Sequence, residues 1–221
     1  MTTIFQVEKK CAVCGNSGTY AEILSTNAFG SPDLDTRPPE MERSTIDKWV
    51  QTCSLCGYCA PDISERLDNS SEVVSSDSYQ QQLNNSEFPK LANAFLCFSL
   101  IQESAGKYDE AGLASVHAAW VCDDNGSDTA AQKCRLKAVT LLQKAKENGQ
   151  MFAKQEGVEE AIMVDLLRRS KQFELALKIC EEGLQKNPEK IISDILLFQK
   201  ILISSSDTAC HTIQEAIGND K

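Results

Sequence analysis

Two C-x-x-C-G turns, Cys11-Ala-Val-Cys14-Gly and Cys53-Ser-Leu-Cys56-Gly, stand with 38 residues between them in a chain of 221. Nothing else in the sequence restricts the fold as much. Such a turn holds two thiolates on one side of a tight hairpin, aims backbone N–H groups at the sulfurs, and uses glycine where φ is positive. Two of them complete a tetrahedron, and Zn²⁺ takes four thiolates at about 2.3 Å. With every coordination position filled by protein, such an ion is structural. The expectation is therefore a small β zinc ribbon carrying one structural Zn²⁺ on Cys11, Cys14, Cys53 and Cys56. Iron in a rubredoxin-like site and two separate redox pairs are the alternatives. Neither pair sits at a strand-to-helix junction of a βαβ pattern, where a helix end lowers a thiol pKa, and this argues against redox chemistry. The ribbon segment has few large apolar residues, so metal binding is expected to supply much of its folding free energy, on the order of 10 kcal/mol.

The rest of the composition narrows the function classes. Ten cysteines suit metal binding in a reducing compartment better than a disulfide framework. The N-terminal MTTIFQVEKK lacks a secretory pattern and no apolar run approaches the roughly 20 residues of a membrane span, so a cytoplasmic location without membrane insertion is expected. Residues 1–127 hold 8 Lys/Arg against 18 Asp/Glu and residues 128–221 hold 14 against 14, which places the whole net charge of −10 in the first part. An acidic ribbon repels a phosphate backbone, and there is no basic stripe, so nucleic acid is not expected as a partner.

Along the chain, strands are expected at Ile4–Val7, Thr19–Leu24 and Trp49–Thr52. Residues 1–67 then form the ribbon with its long Pro-rich inter-knuckle loop, 68–87 a polar linker, and 88–221 a helical domain. Within the linker, SSDSYQQQL has a Ser cap and good helix formers, which predicts a short helix. Helical periodicity begins with Leu91, Phe95, Phe98 and Ile101 and returns in Ile162–Leu167 and Phe173–Leu184. Ala105–Trp120 and Arg169–Leu184 share a polar turn, an aromatic (Tyr108, Phe173), an Ala three residues on (Ala111, Ala176) and a further small residue (Ala118, Gly183). This looks like the tetratricopeptide pattern, with Pro188 as a terminator and Asp123 where the first unit should have one. Asp128–Asn148 reads as one long helix outside the pattern. The fold class expected is α+β, mostly α: a small ribbon followed by a tetratricopeptide-like hairpin stack.

The loop between the knuckles carries Asp33, Asp35, Arg37 and Arg43 on a segment stiffened by Pro32, Pro38 and Pro39. Those four residues are the candidate partner-binding set; the plainer reading is a bridge from ribbon to helices with Arg37 paired to an aspartate. Cys59 is either a redox-reactive thiol beside the metal or a small buried residue. Cys122, Asp123, Asp124, Cys134 and Arg135 can cluster across the turn after Trp120, although turn chemistry alone accounts for the acids. His117 and His211 lack any partner at ligand spacing, and no phosphate loop or G-x-S-x-G is present.

FQVEKKCAVCGNSGTYAEILSTNAFGSPDLDTRPPEM, then CSLCGYCAPDIS, then the helical hairpins, resembles an uncharacterised bacterial family that couples an N-terminal zinc ribbon to a helical-repeat tail. The resemblance implies architecture and no activity. The expected function is a non-enzymatic zinc-binding adaptor whose helical groove takes a protein or peptide. A redox- or metal-responsive regulator using Cys59 and the knuckle thiols is the alternative, and an enzyme built on Asp33, Asp35 and Arg37 between ribbon and helices is a third reading. No oligomeric state follows from the sequence.

Overall fold

Alternating β-branched and polar residues on either side of the first knuckle form an antiparallel hairpin in the computed structural model, which describes residues 1–218. Its strands are β1 (Thr3–Lys10) and β2 (Ser17–Ser25), with Val7 opposite Tyr20 and Lys10 opposite Ser17. Both faces are largely solvent-exposed, and a lone two-stranded sheet is marginal in water. The second knuckle lies between β3 (Gln51–Thr52) and β4 (Cys59–Ala60), a second antiparallel pair. The strand expected from Trp49 starts two residues later. A 3-10 turn over Arg43–Lys48 runs up to Trp49, whose N–H bonds the Ile46 carbonyl and whose indole donates to Thr45 Oγ1 at 2.9 Å.

The remaining elements are helices: α1 (Ser70–Ser75), α2 (Asp77–Leu83), α3 (Lys90–Ser104), α4 (Tyr108–Asp124), α5 (Asp128–Glu147), α6 (Val158–Arg169), α7 (Phe173–Gln185), α8 (Lys190–Ser204) and α9 (Ile213–Ile217). The chain is α+β and mostly α. Ser76 starts α2 as expected, its hydroxyl accepting the Tyr79 N–H at 3.3 Å. The polar stretch 68–87 nevertheless buries Val74 and Tyr79. From α3 onward, successive helices pack on one another, α4 touching both α3 and α5, and α7 both α6 and α8. Tyr108 and Phe173 open α4 and α7, and Ala111, Ala118 and Ala176 are fully buried. A Cβ on Gly183 would lie 2.9 Å from that of Glu160, so α7 and α6 approach only because that residue is glycine. Asp128–Glu147 is a single long helix. Among the described residues no helix is long and apolar enough to cross a membrane.

One hydrophobic cluster runs from Cys11 and Tyr58 in the ribbon through Tyr79, Phe95 and Cys97 to Trp120, Leu142 and Leu196. At its centre the His117 ring is boxed by Trp49, Phe95 and Trp120, with centroids at 5.2, 5.3 and 4.8 Å. Burial pushes its pKa down to about 4, against the opposing pull of the Asp35 charge. Unfolded, the same imidazole takes a proton near 6.5. The unfolded chain therefore binds the extra proton first, so the contribution of His117 to stability is complete above pH 6.5 and is lost as pH falls toward 4. His117→Phe is expected to flatten the fall of the thermal midpoint between pH 7 and 5; an unchanged slope would show that another group sets it.

Candidate metal centre

The two knuckles have the same construction. In the first, Gly15 N–H bonds the Cys11 carbonyl at 2.8 Å, and in the second Gly57 N–H bonds that of Cys53 at 2.9 Å. Both glycines have positive φ, 74° and 76°. Gly57 is required twice over, because a Cβ there would also stand 2.3 Å from Leu83 Cδ2 on α2. The hairpin β1–β2 presents Cys11 and Cys14 from one side, and β3–β4 presents Cys53 and Cys56 from the other.

The four Sγ atoms lie within 4.8 Å of one another. Across the knuckles, Cys11 Sγ is 3.7 Å from Cys56 Sγ and Cys14 Sγ is 3.6 Å from Cys53 Sγ. A tetrahedron with metal–sulfur bonds of about 2.3 Å has edges of about 3.8 Å, whereas a disulfide needs about 2 Å. Both distances fit the edge of a tetrahedron around a shared ion, and all four thiols are free. Burial drives the Cys11 and Cys56 thiols up from their ordinary range, the backbone N–H groups of the knuckles only partly opposing it. For Cys53 burial acts the same way, but the N–H groups of Cys56 and Leu55 and the neighbouring thiols win and bring it to about 7. Four thiols so close cannot all ionise without a cation among them. The set can hold a metal ion.

Several contacts bolt this centre to the rest of the chain. Lys9 on β1 pairs with Glu22 and, at 2.7 Å, with Asp62 beyond the second knuckle. Ala12 N–H donates to the Ile63 carbonyl at 2.9 Å. Tyr79 on α2 donates its hydroxyl hydrogen to the Gly57 carbonyl at 2.9 Å while its oxygen accepts the Cys59 N–H at 3.0 Å. Tyr58 spans to Glu65 and Leu67 in the same way. Cys59 is fully buried among these groups. A hydrogen bond with the Cys97 thiol, helped by Thr52 and Tyr79, holds Cys59 below the usual thiol range despite burial.

The proline-stiffened loop turns inward. Asp33, Asp35 and Arg37 are 3 %, 1 % and 6 % exposed, so they are not displayed to solvent. Asp35 accepts from the Trp120 indole at 2.8 Å and from Arg169 at 3.2 Å. Arg37 pairs with Asp124 at 2.6 Å, and Arg43, half-buried, pairs with Asp33 at 2.6 Å and with the Pro38 carbonyl at 2.9 Å. The loop also joins the C-terminal segment, Leu34 N–H to the His211 carbonyl and Ile213 N–H to that of Pro32, each at 2.9 Å. This placement has the form of the bridge from ribbon to helices, and the carboxylates suggested for a site between the two parts are already paired. Arg135 and Asp123 do meet across the α4–α5 turn. Sequence reasoning did not find Tyr79, Trp120, Asp165, Arg168 or Arg169 as members of this network; a tryptophan beside an acid-rich turn and an Arg pair following Leu166–Leu167 were the available signals.

Because Tyr79 joins the second knuckle directly to α2, metal loss is expected to propagate. Cys11→Ser should abolish metal binding, lower the thermal midpoint by roughly 10 °C, and take helical signal with it in the same transition. A separate early transition at undiminished far-UV helical signal would show that ribbon and helices are independent. Scans against family models, curated proteins and solved structures found no match to the chain, so its thiol geometry and its packing carry the functional reading.

Proposed function

We propose that the chain is a non-enzymatic interaction module in which one structural Zn²⁺ on Cys11, Cys14, Cys53 and Cys56 shapes a groove for a peptide segment of a protein partner. The observation that carries this reading is an open groove of about 1160 Å³ between the second knuckle and α2–α3. One wall is the metal-binding turn itself, with Leu55 between the two ligands and 71 % exposed. Leu83, Phe88 and Leu91 supply further apolar surface, and Gln80, Asn84, Asn85 and Asn93 supply amides. Asp47 and Lys90 are its charged lining residues besides the two metal-binding cysteines, Cys53 and Cys56. The amides and apolar side chains of the wall opposite the knuckle complement an extended peptide, whose backbone takes the amides and whose apolar side chains take the pockets. The groove thus lies at the ribbon end of the helical stack. Four thiolates suit zinc, which has no redox state to manage and holds the turn rigid. The redox alternative gains no support from Cys59, which has no contact with solvent.

Selection of a displayed peptide library on the zinc-loaded full chain tests this. Peptides with one or two aliphatic anchors should be enriched, should bind at one zinc per chain, and should lose about tenfold in affinity with Leu55→Asp, the equivalent of burying one apolar side chain. Failure to enrich any zinc-dependent peptide, or binding indifferent to Leu55→Asp, would refute the groove. Iron in place of zinc would change the ion without moving the groove.

A further inference from the structure

A second concavity, unrelated to the peptide groove, lies where the α4–α5 turn, the end of α6 and the α8–α9 connection meet. Its volume is about 190 Å³, and Arg135, Arg169, Lys171, Gln132 and Thr208 face it together with Asp123 and Asp128. The Arg135 side chain is only 3 % exposed, and among the described residues its only acceptor is Asp123 Oδ2. A guanidinium has five N–H donors and no acceptor, and a buried one is costly unless those donors are used. Arg135 Nε is buried without a partner, a feature it shares with Arg37, Arg168 and Arg169. Asp123 cannot make up the deficit, because the same oxygen also takes Arg169 Nη2 at 2.7 Å. Lys171 forms no ion pair among the described residues. The N-cap of α5, Ser127, makes no side-chain cap hydrogen bond, which leaves the first-turn N–H groups beside Asp128 without that acceptor.

We infer that this cavity binds a small carboxylate-bearing molecule, with Arg135, Lys171, Gln132 and Thr208 as its donors. Three cations and two carboxylates line the space; Arg169 is also held by Asp35 at 3.2 Å behind the wall, so Arg135 and Lys171 are the cations a ligand meets, and the surroundings tolerate no more than a single negative charge. The planar fork of Arg135 matches a carboxylate. The volume admits a molecule of a few carbon atoms, whereas a polyphosphate exceeds both the charge and the space. Asp128, exposed at the start of α5, opposes a second negative charge on the ligand.

Titration of the zinc-loaded full chain with sodium acetate, lactate, succinate and inorganic phosphate, each against sodium chloride of equal ionic strength and followed by amide chemical shifts, tests the assignment. Acetate or lactate should give saturable shifts confined to the α4–α5 turn, the end of α6 and residues around Thr208. Lys171→Gln removes an exposed side chain and leaves the fold intact, and it should weaken that binding about tenfold. Arg135→Lys should weaken it further if the chain folds, and Lys171→Gln keeps the test decisive if it does not. Shifts reproduced by chloride, or unchanged by Lys171→Gln, would overturn the site. Preference for phosphate over every carboxylate would overturn the ligand class.

Discussion

Four sulfurs drawn to one point close a loop of 38 residues, and the N-terminal third of the chain is arranged around that closure. Holding the ends of such a loop together removes about 4 kcal/mol of chain entropy from the unfolded state. The β1–β2 hairpin buries none of its strand residues fully, and besides the sulfurs it is held by the Lys9–Asp62 pair, the Ala12–Ile63 hydrogen bond and partial packing of Tyr20 on the core. What apolar support exists comes from outside the ribbon: Tyr58, Cys59 and Ile63 are buried in the same cluster as Tyr79 and Phe95 of the helices. The thiol cluster and the helical core therefore stabilise each other through one layer of side chains, with the Tyr79 hydroxyl bonded to both Gly57 and Cys59.

The loop so closed is not slack. Its middle is fixed by Asp35, which reaches Trp120 on α4 and Arg169 on α6, while Arg169 also binds Asp123. Asp165 lies behind them, its pKa raised by burial and by the Asp35 charge, and pairs with Arg168 at 2.6 Å. Arg168 in turn reaches the carbonyls of Asp207 and Ala209. Buried ion pairs roughly break even against apolar packing, but removing one partner costs about 3–5 kcal/mol because the other is left charged and unpaired. Their effect here is on register: an apolar loop could slide along α4 and α6, whereas Asp35 satisfies Trp120 and Arg169 together in one position.

What the sequence made legible follows from how local each signal is. The knuckles announce themselves because ligand spacing and the glycine are contained in five residues. The Ser76 cap and the single long α5 are likewise local, and both stand in the structure. Tyr79 was hidden because its neighbours are polar and its partners, Gly57 and Cys59, are some twenty positions away. Arg168 and Arg169 close α6, where basic residues also suit the helix dipole, so nothing nearby marks them as buried. The loop was legible in part: pairing of Arg37 with an aspartate was foreseeable, but the partner that holds Asp35 stands 134 positions away. Proline marked a segment without regular helix, and it could not say which way that segment faces.

The same path of contacts connects the thiol cluster to the arginine-lined cavity. The thiol cluster holds both ends of the loop, the loop holds Asp35, and Asp35 holds the Arg169 guanidinium that forms part of the cavity wall. Opening of the thiol cluster would free Asp35 to move and leave Arg169 with Asp165 at 4.0 Å and with Asp123, whose Oδ2 it shares with Arg135. An anion that satisfies Arg135 lowers that competition and favours the arrangement in which Asp35 and Arg169 remain paired. With an ion on the four thiols and an anion in the cavity, linkage would require the effect to run both ways: whatever free energy the ion contributed to ordering the cavity, the anion would contribute equally to retention of the ion.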